Sequence, residues 1–300
     1  MRAVWSFWSR PFEAGTGRTW RHPLHHLLAW GLSLPAARRH YPETMLVTDA
    51  VGKKLLVDML GLQFSSVSTE LECLKGADPQ WWALGKLVAY GLQDRPFVHI
   101  DTDVFLWKPL PQEMNDAPVL AQCPEYFHRD SGRGSRAIND AFRRCGEALP
   151  VEWEWALSRD HTYFREENCG IVGGCRVDFL QHYATTATDL ILNPRYRAAW
   201  AAVSHKCNMA VEQFFLAACV DFHRHHPASP FRGVRVNYLF PSWDETVNPN
   251  CAAKVGFTHL LGDSKASPAV GRRLEDRVRR DDPGYFRICE RVAGRAARRM

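Results

Sequence analysis

Phe97-Val98-His99-Ile100-Asp101-Thr102-Asp103-Val104-Phe105-Leu106 is an apolar run broken by two carboxylates one residue apart. Period-two alternation predicts a strand with Val98 and Ile100 on one side and Phe97 and His99 on the other. At the strand end Asp101 and Asp103 can point the same way. Two acids so close repel each other unless a cation sits between them. A divalent metal holding a diphosphate is one use of such a pair. A plain strand-to-turn junction, where Asp is common, is the other reading.

The segments before this stretch alternate. Ala3–Trp8 reads as a strand, His22–His40 as a helix, and Thr44–Asp49 as a second strand ending in an acid. Val51–Leu60 reads as a helix with Gly61 at its C-cap. Phe64–Val67 reads as a third strand, and Pro79–Leu92 as a helix carrying Trp82, Lys86 and Tyr90. A β-α-β-α-β order implies a parallel sheet with its ligand at the C-terminal strand ends. Asp49 and Asp101 then share that edge. Trp8 or Phe7 is placed to lie on a base, Asp49 to accept bonds from base or ribose, and Lys86 to reach a phosphate. Each also has an ordinary reading as core or solvated surface.

A second motif lies far downstream. Phe257-Thr258-His259-Leu260-Leu261-Gly262-Asp263-Ser264-Lys265 is a short strand ending in H-x-x-G-x-x-K. A neutral imidazole can supply a third metal ligand. A glycine lets backbone come close to a ligand, and a lysine beyond it can reach a phosphate.

With both motifs in hand, the chain resembles the GT-A glycosyltransferases, and within them the family 8 type. The resemblance covers roughly residues 1–268 as scattered motifs. It implies an α/β fold: a Rossmann-like mixed sheet flanked by helices. It implies that Asp101, Asp103 and His259 bind manganese or magnesium, and that Gly262 and Lys265 contact the donor diphosphate. Where that family often continues Pro-Trp, this chain has Ala266-Ser267. Asn168-Cys169-Gly170 resembles the Asn-x-Gly strand lining the donor sugar, which points to Asn168 and Gly170. Glu212-Gln213 resembles the family's Asp-Gln pair beside the anomeric carbon. An inverting transfer needs a carboxylate base, a role open to Glu212. A front-side retaining path needs nearby dipoles, a role open to Gln213. First-turn helix residues of these types are also common without any function. The implied donor is a nucleotide sugar, a UDP-sugar; the acceptor is unspecified.

The division expected is 1–110 for the nucleotide, 111–268 for the acceptor, and 269–300 as a basic helical tail. Residues 124–165 read as loop-like, with Tyr126, Trp153, Trp155 and Tyr163 available as a sugar-stacking wall. Residues 271–300 hold ten Arg and five acids, which accounts for the whole net charge of +5. Mixed-charge solvated helices broken at Asp282-Pro283-Gly284 are the first reading of that tail. A weak peripheral foothold on anionic lipid, at an inner membrane surface, is the second. The neutral body and the absence of interleaved aromatics argue against nucleic acid.

No stretch approaches the ~20 apolar residues of a membrane span. Met1–Trp8 reads as a strand rather than a signal peptide. The nine cysteines are odd in number and lack C-x-x-C, as expected of reduced thiols in the cytoplasm. Scarce Lys beside abundant Arg and Ala hints at a bacterial genome. Two rival functions remain on sequence grounds. His99–Val104 and Gly262-Asp263-Ser264 also resemble motifs of haloacid-dehalogenase-type phosphatases. A non-catalytic nucleotide- or sugar-binding protein would share the same fold.

Overall fold

The computed structural model describes residues 1–16, 20–129, 135–203 and 207–296. In chain order its strands are β1 (Arg2–Phe7), β2 (Thr44–Thr48), β3 (Ser66–Ser68), β4 (Phe97–Ile100), β5 (Val104–Leu106), β6 (Val119–Ala121), β7 (Pro124–His128), β8 (Tyr163–Glu167), β9 (Ile171–Gly174), β10 (Val236–Tyr238) and β11 (Phe257–His259). Seven of them form one sheet in the order β10-β6-β9-β4-β1-β2-β3. The run β3-β2-β1-β4 is parallel, β9 is antiparallel to both β4 and β6, and β10 is parallel to β6. This is the expected mixed α/β sheet flanked by helices. β5 pairs with β11, and β7 with β8, as separate antiparallel ribbons.

Alternation divides the core between the two faces of this sheet, as the pleat requires. Val4, Val47, Phe97, Val119 and Val172 join one apolar cluster with Leu87, Tyr90, Phe179 and Phe215. Trp5, Leu46, Val98, Ile100 and Leu120 join the other with Leu28 and Trp30. The predicted split of Phe97 from Val98 and Ile100 therefore holds. Glycine lets β9 fit here: a Cβ on Gly173 would stand 2.0 Å from the Phe97 carbonyl oxygen, and one on Gly174 2.3 Å from that of Pro118. It is neighbouring backbone, not a ligand, that requires these two glycines.

Several predicted boundaries move. β1 stops at Phe7, because Trp8 opens a short helix, Ser9–Glu13. The first long helix is Pro23–Arg38, with His22 as its N-cap accepting from the Leu24 amide. The helix after β2 begins at Ala50 and widens into a π-helix at Lys54–Met59; Gly61 follows at φ +72°. The helix expected from Pro79 spans only Leu84–Gly91. Upstream amides find other partners: Gln80 bonds the Asp78 carboxylate, and Ala83 bonds the Asn208 side chain. Residues 124–165 are not loop-like, since they hold β7, β8 and the helices Ser135–Arg144 and Val151–Ser158. Ile138, Ala141 and Phe142 give the first of these a buried i, i+3, i+4 stripe.

The C-terminal residues do form two helices, Pro268–Asp281 and Pro283–Ala296. They pack on the Pro23–Arg38 helix and bury Leu274, Val278, Phe286 and Cys289 in the second cluster. The Tyr285 hydroxyl donates to the Leu27 carbonyl at 2.7 Å. The helices are thus part of the core rather than an appendage. Part of their positive charge is matched locally, with Arg277 on Asp281 and Arg279 on Glu275 and Asp276. Among the described residues, no helix is long and apolar enough to cross a membrane.

Candidate functional site

β4 ends at Ile100 and β5 begins at Val104, so Asp101-Thr102-Asp103 is a tight turn between two buried strands. The Asp101 amide donates to the Gly170 carbonyl, and the Val104 amide to that of Asp101. This fixes both carboxylates at the C-terminal end of the parallel strands. The β5–β11 ribbon then delivers the second motif. Its register sets His259 opposite Val104, and the Leu260 amide donates to the Asp103 carbonyl. Asp101, Asp103 and His259 each offer an atom within 4.8 Å of the others.

His259 is oriented for ligation. Its Nδ1 is 2.6 Å from Gln122 Oε1, an acceptor, so this nitrogen carries the proton. Nε2, 3.6 Å from Asp103 Oδ2, is left with the lone pair. An outer hydrogen bond of this type is what fixes the tautomer of metal-bound histidines. Gly170 makes room for the arrangement: a Cβ there would lie 2.2 Å from Gln122 Oε1 and 2.5 Å from His259 Nδ1.

Two lysines neutralise the acids. Lys265 Nζ sits 2.5 Å from Asp103 Oδ2. Lys86 Nζ lies 3.0 Å from Asp101 Oδ1 and 2.7 Å from Glu212 Oε1, and also donates to the Cys169 carbonyl. Burial opposes charge on Asp103, but the Lys265 ammonium overcomes it and holds that carboxyl well below its ordinary range. Asp101 goes the other way. Burial raises it to about 6 against the pull of Lys86, and the charges of Asp103 and Glu212 add to the rise. Burial disfavours charge on Lys86 too, yet Asp101 and Glu212 keep the ammonium protonated well beyond its ordinary range. His99 is neutral, its pKa driven well below 6.5 by burial and by Lys86; its Nε2 is 2.9 Å from Ser6 Oγ.

These groups face one cleft of about 1990 Å³. Of the residues singled out by sequence, Trp8, Lys86, Asp101, Asp103, Asn168, Gly170, Glu212, Gln213, His259, Gly262 and Lys265 all line it. Asp49 does not. Its carboxylate is occupied by the Ser9 amide and hydroxyl and by the Gly52 amide, so it ties β1 to β2 and caps the next helix. Lys86, read from sequence as a phosphate contact, is instead clamped between two carboxylates. Asn168 accepts from the Gly170 amide and donates to Glu125. Glu212 and Gln213 stand on a π-helical turn, Ala210–Phe214, a distortion often found at functional sites. Glu212 is fully buried and accepts from the Tyr90 hydroxyl. Gln213 Oε1 is buried and has no hydrogen-bond partner among the described residues.

The aromatic wall survives only in part. Tyr126 lines the cleft and is well exposed. Trp153 is core, packed on Phe214 and Phe215. Trp155 stacks on His225, and Tyr163 pairs with His128 across the β7–β8 ribbon; neither lines the cleft. Trp243 and Trp82 do line it.

Three participants escaped the sequence reading. Gln122, just after β6, orients His259; its place beyond a short apolar strand was the available signal. Glu125 holds Asn168. His26, on the Pro23–Arg38 helix, faces the cleft with its pKa lowered to about 4 by burial and by Lys265.

Residues 1–292 match the profile of a family of unknown function, DUF6734. The chain belongs to that family. No curated protein matches it. Among solved structures it is similar to the galactosyltransferase LgtC in complex with donor and acceptor sugar analogs. The TM-score is 0.43 and the identity 11%, over 92% of this chain and 94% of that one. An active-site mutant of LgtC gives a TM-score of 0.33 and 9% identity, over 68% and 70% of the two chains. Similarity at this level carries no argument about the reaction, which has to be read from the cleft itself.

Proposed function

We propose that the chain is a metal-dependent glycosyltransferase that moves a sugar from a nucleoside diphosphate donor, a UDP-sugar, to an acceptor hydroxyl or other nucleophile. One observation carries the reading. Two carboxylates and a correctly tautomeric imidazole, more than 150 residues apart in sequence, converge beside Lys265 in a large cleft at the strand ends.

Asp101, Asp103 and His259 would hold manganese or magnesium, which when bound supplies Lewis-acid charge to the leaving diphosphate. The two oxygens and one nitrogen suit such an ion. Without it, the Lys265 ammonium compensates Asp103. An ion on Asp103 would free Lys265 to meet the diphosphate as a point charge. Lys86 holds Asp101 and Glu212 in place. Because Glu212 is already paired with Lys86 and Tyr90, it is poorly placed as a free base. The Gln213 oxygen, without a partner among the described residues, is a dipole available to the sugar, which favours the front-side path. Tyr126 and Trp243 supply an exposed rim for an acceptor, whereas Trp8, expected to offer a face to the base, borders the cleft but is buried in the first core cluster. A cytoplasmic setting belongs to the same proposal.

A phosphatase reading gains nothing from the site. Asp263, the acid it would add, is exposed and does not line the cleft. A thermal-shift screen of nucleotides and nucleotide sugars, with and without manganese, tests the proposal. A ligand at 100 times its Kd should add ~2.7 kcal/mol of stability. UDP should stabilise only with the metal, and a UDP-sugar should release UDP. Fast hydrolysis of a simple phosphomonoester, lost in Asp101→Asn, would overturn the assignment.

A further inference from the structure

Away from the cleft, three helices bring a second set of metal-ligating side chains together. Glu152 stands in the first turn of helix Val151–Ser158, His182 in helix Val177–Leu192, and His223 near the end of helix Phe215–His225. His182 Nε2 is 2.8 Å from Glu152 Oε1, and His223 Nε2 is 3.2 Å from the same oxygen. The two Nε2 atoms are 3.3 Å apart. A four-coordinate zinc with ligands at about 2.0–2.1 Å sets neighbouring donors about 3.3–3.4 Å apart. The observed triangle is therefore close to one face of a zinc tetrahedron.

The surroundings fit as well. His223 Nδ1 lies 2.7 Å from Ser229 Oγ, which also accepts from the Phe231 amide. That outer contact fixes the ring and leaves Nε2 for the shared centre. Phe179, Phe222 and Phe231 pack around the His223 ring at 5.9, 5.0 and 5.1 Å. Glu152 and His223 keep 5% of their side-chain surface exposed, but His182 keeps 34%, which gives an ion an entry path.

We propose that Glu152, His182 and His223 form a zinc site, independent of the cleft, that pins three helices together. Two imidazoles and one carboxylate are donors of the class zinc takes. The site has a structural consequence. His223 lies eleven residues beyond Glu212 on one continuous helical path, about 16 Å at 1.5 Å per residue. The ion would anchor the far end of the element whose near end presents Glu212 and Gln213.

The test uses the full chain, stripped with a chelator and then titrated with zinc. An Asp101→Asn/Asp103→Asn variant removes the cleft ligands. It should still take up one zinc per chain and gain thermal stability. Adding His182→Ala, a partly exposed position, should abolish both effects while far-ultraviolet circular dichroism stays unchanged; Glu152→Gln should do the same. On the wild-type chain, cobalt(II) should give the strong visible absorption of a four-coordinate site, lost in His182→Ala alone. No zinc uptake by the cleft variant, uptake unaffected by His182→Ala and Glu152→Gln, or retention of iron in place of zinc would each overturn the proposal.

Discussion

Replacing Lys86 by Met tests the electrostatic design of the cleft wall. Met matches much of the lysine's length and apolar surface, so the change removes charge with little loss of packing. It strands Glu212, which is fully buried and, among the described residues, keeps the Tyr90 hydroxyl as its side-chain partner, and it unpairs Asp101. Removing one partner of a buried ion pair costs roughly 3–5 kcal/mol. At about 2.1 cal/mol/K per residue, unfolding 300 residues carries an entropy of about 0.63 kcal/mol/K, so the melting temperature should fall by about 5–8 °C. Lys86→Met/Glu212→Gln should recover more than half of that loss, because the amide keeps the Tyr90 bond without a buried charge. The pH dependence has a definite sign. In Lys86→Met the Asp101 carboxyl loses the cation that pulls its pKa down while burial still pushes it up, so it binds a proton more tightly folded than unfolded, and the destabilisation should shrink as pH falls and grow as it rises. Urea and thermal melts of the three proteins at pH 5 and pH 7 measure all of this. A Lys86→Met chain as stable as wild type, or a loss that Glu212→Gln does not relieve, would refute the reasoning.

Asp103→Asn should abolish manganese-dependent UDP binding in calorimetry while circular dichroism stays native; the wild-type affinity in that variant would remove the proposed metal site. Manganese affinity should decline as pH falls through about 6, where Asp101 takes up its proton in the metal-free chain, and Asp101→Asn should flatten that profile. The same raised pKa means that Asp101 stabilises the metal-free fold at low pH and that this contribution is lost as pH rises from about 3.8 to about 6, a trend measurable in urea melts. Gly170→Ala should cost about 1–3 kcal/mol, because the added methyl collides with Gln122 and His259. It should weaken metal binding more than Gly173→Ala does relative to its own stability loss, since Gly173 meets only the backbone of β4.

Much of this arrangement was legible in the sequence, for reasons particular to each element. The split of Phe97 and His99 from Val98 and Ile100 could be read because a strand buried on both faces still alternates. Gly61 could be placed because few other residues take a positive φ at a helix end. His259 could be joined to Asp103 only through a motif resemblance, since the β5–β11 register that unites them spans some 150 residues and leaves no periodic trace. Asp49 misled for the converse reason. A strand-end acid looks alike whether it faces a ligand or two backbone amides and a hydroxyl, and only the returning chain at Ser9 and Gly52 decides. Trp153 is the same problem for aromatics, since burial against Phe214 and Phe215 is a tertiary fact. Lys86 shows the limit most clearly. Its spacing on a helix was visible, but its two partners lie 15 and 126 residues away and come from separate elements. Local pattern therefore fixes which groups stand at the strand ends, while the pairing among them, and so the charge that a diphosphate or metal would meet, is set by contacts that close only in the fold. Glu152, His182 and His223 carry this furthest: with no motif spacing at all, they still converge on one oxygen.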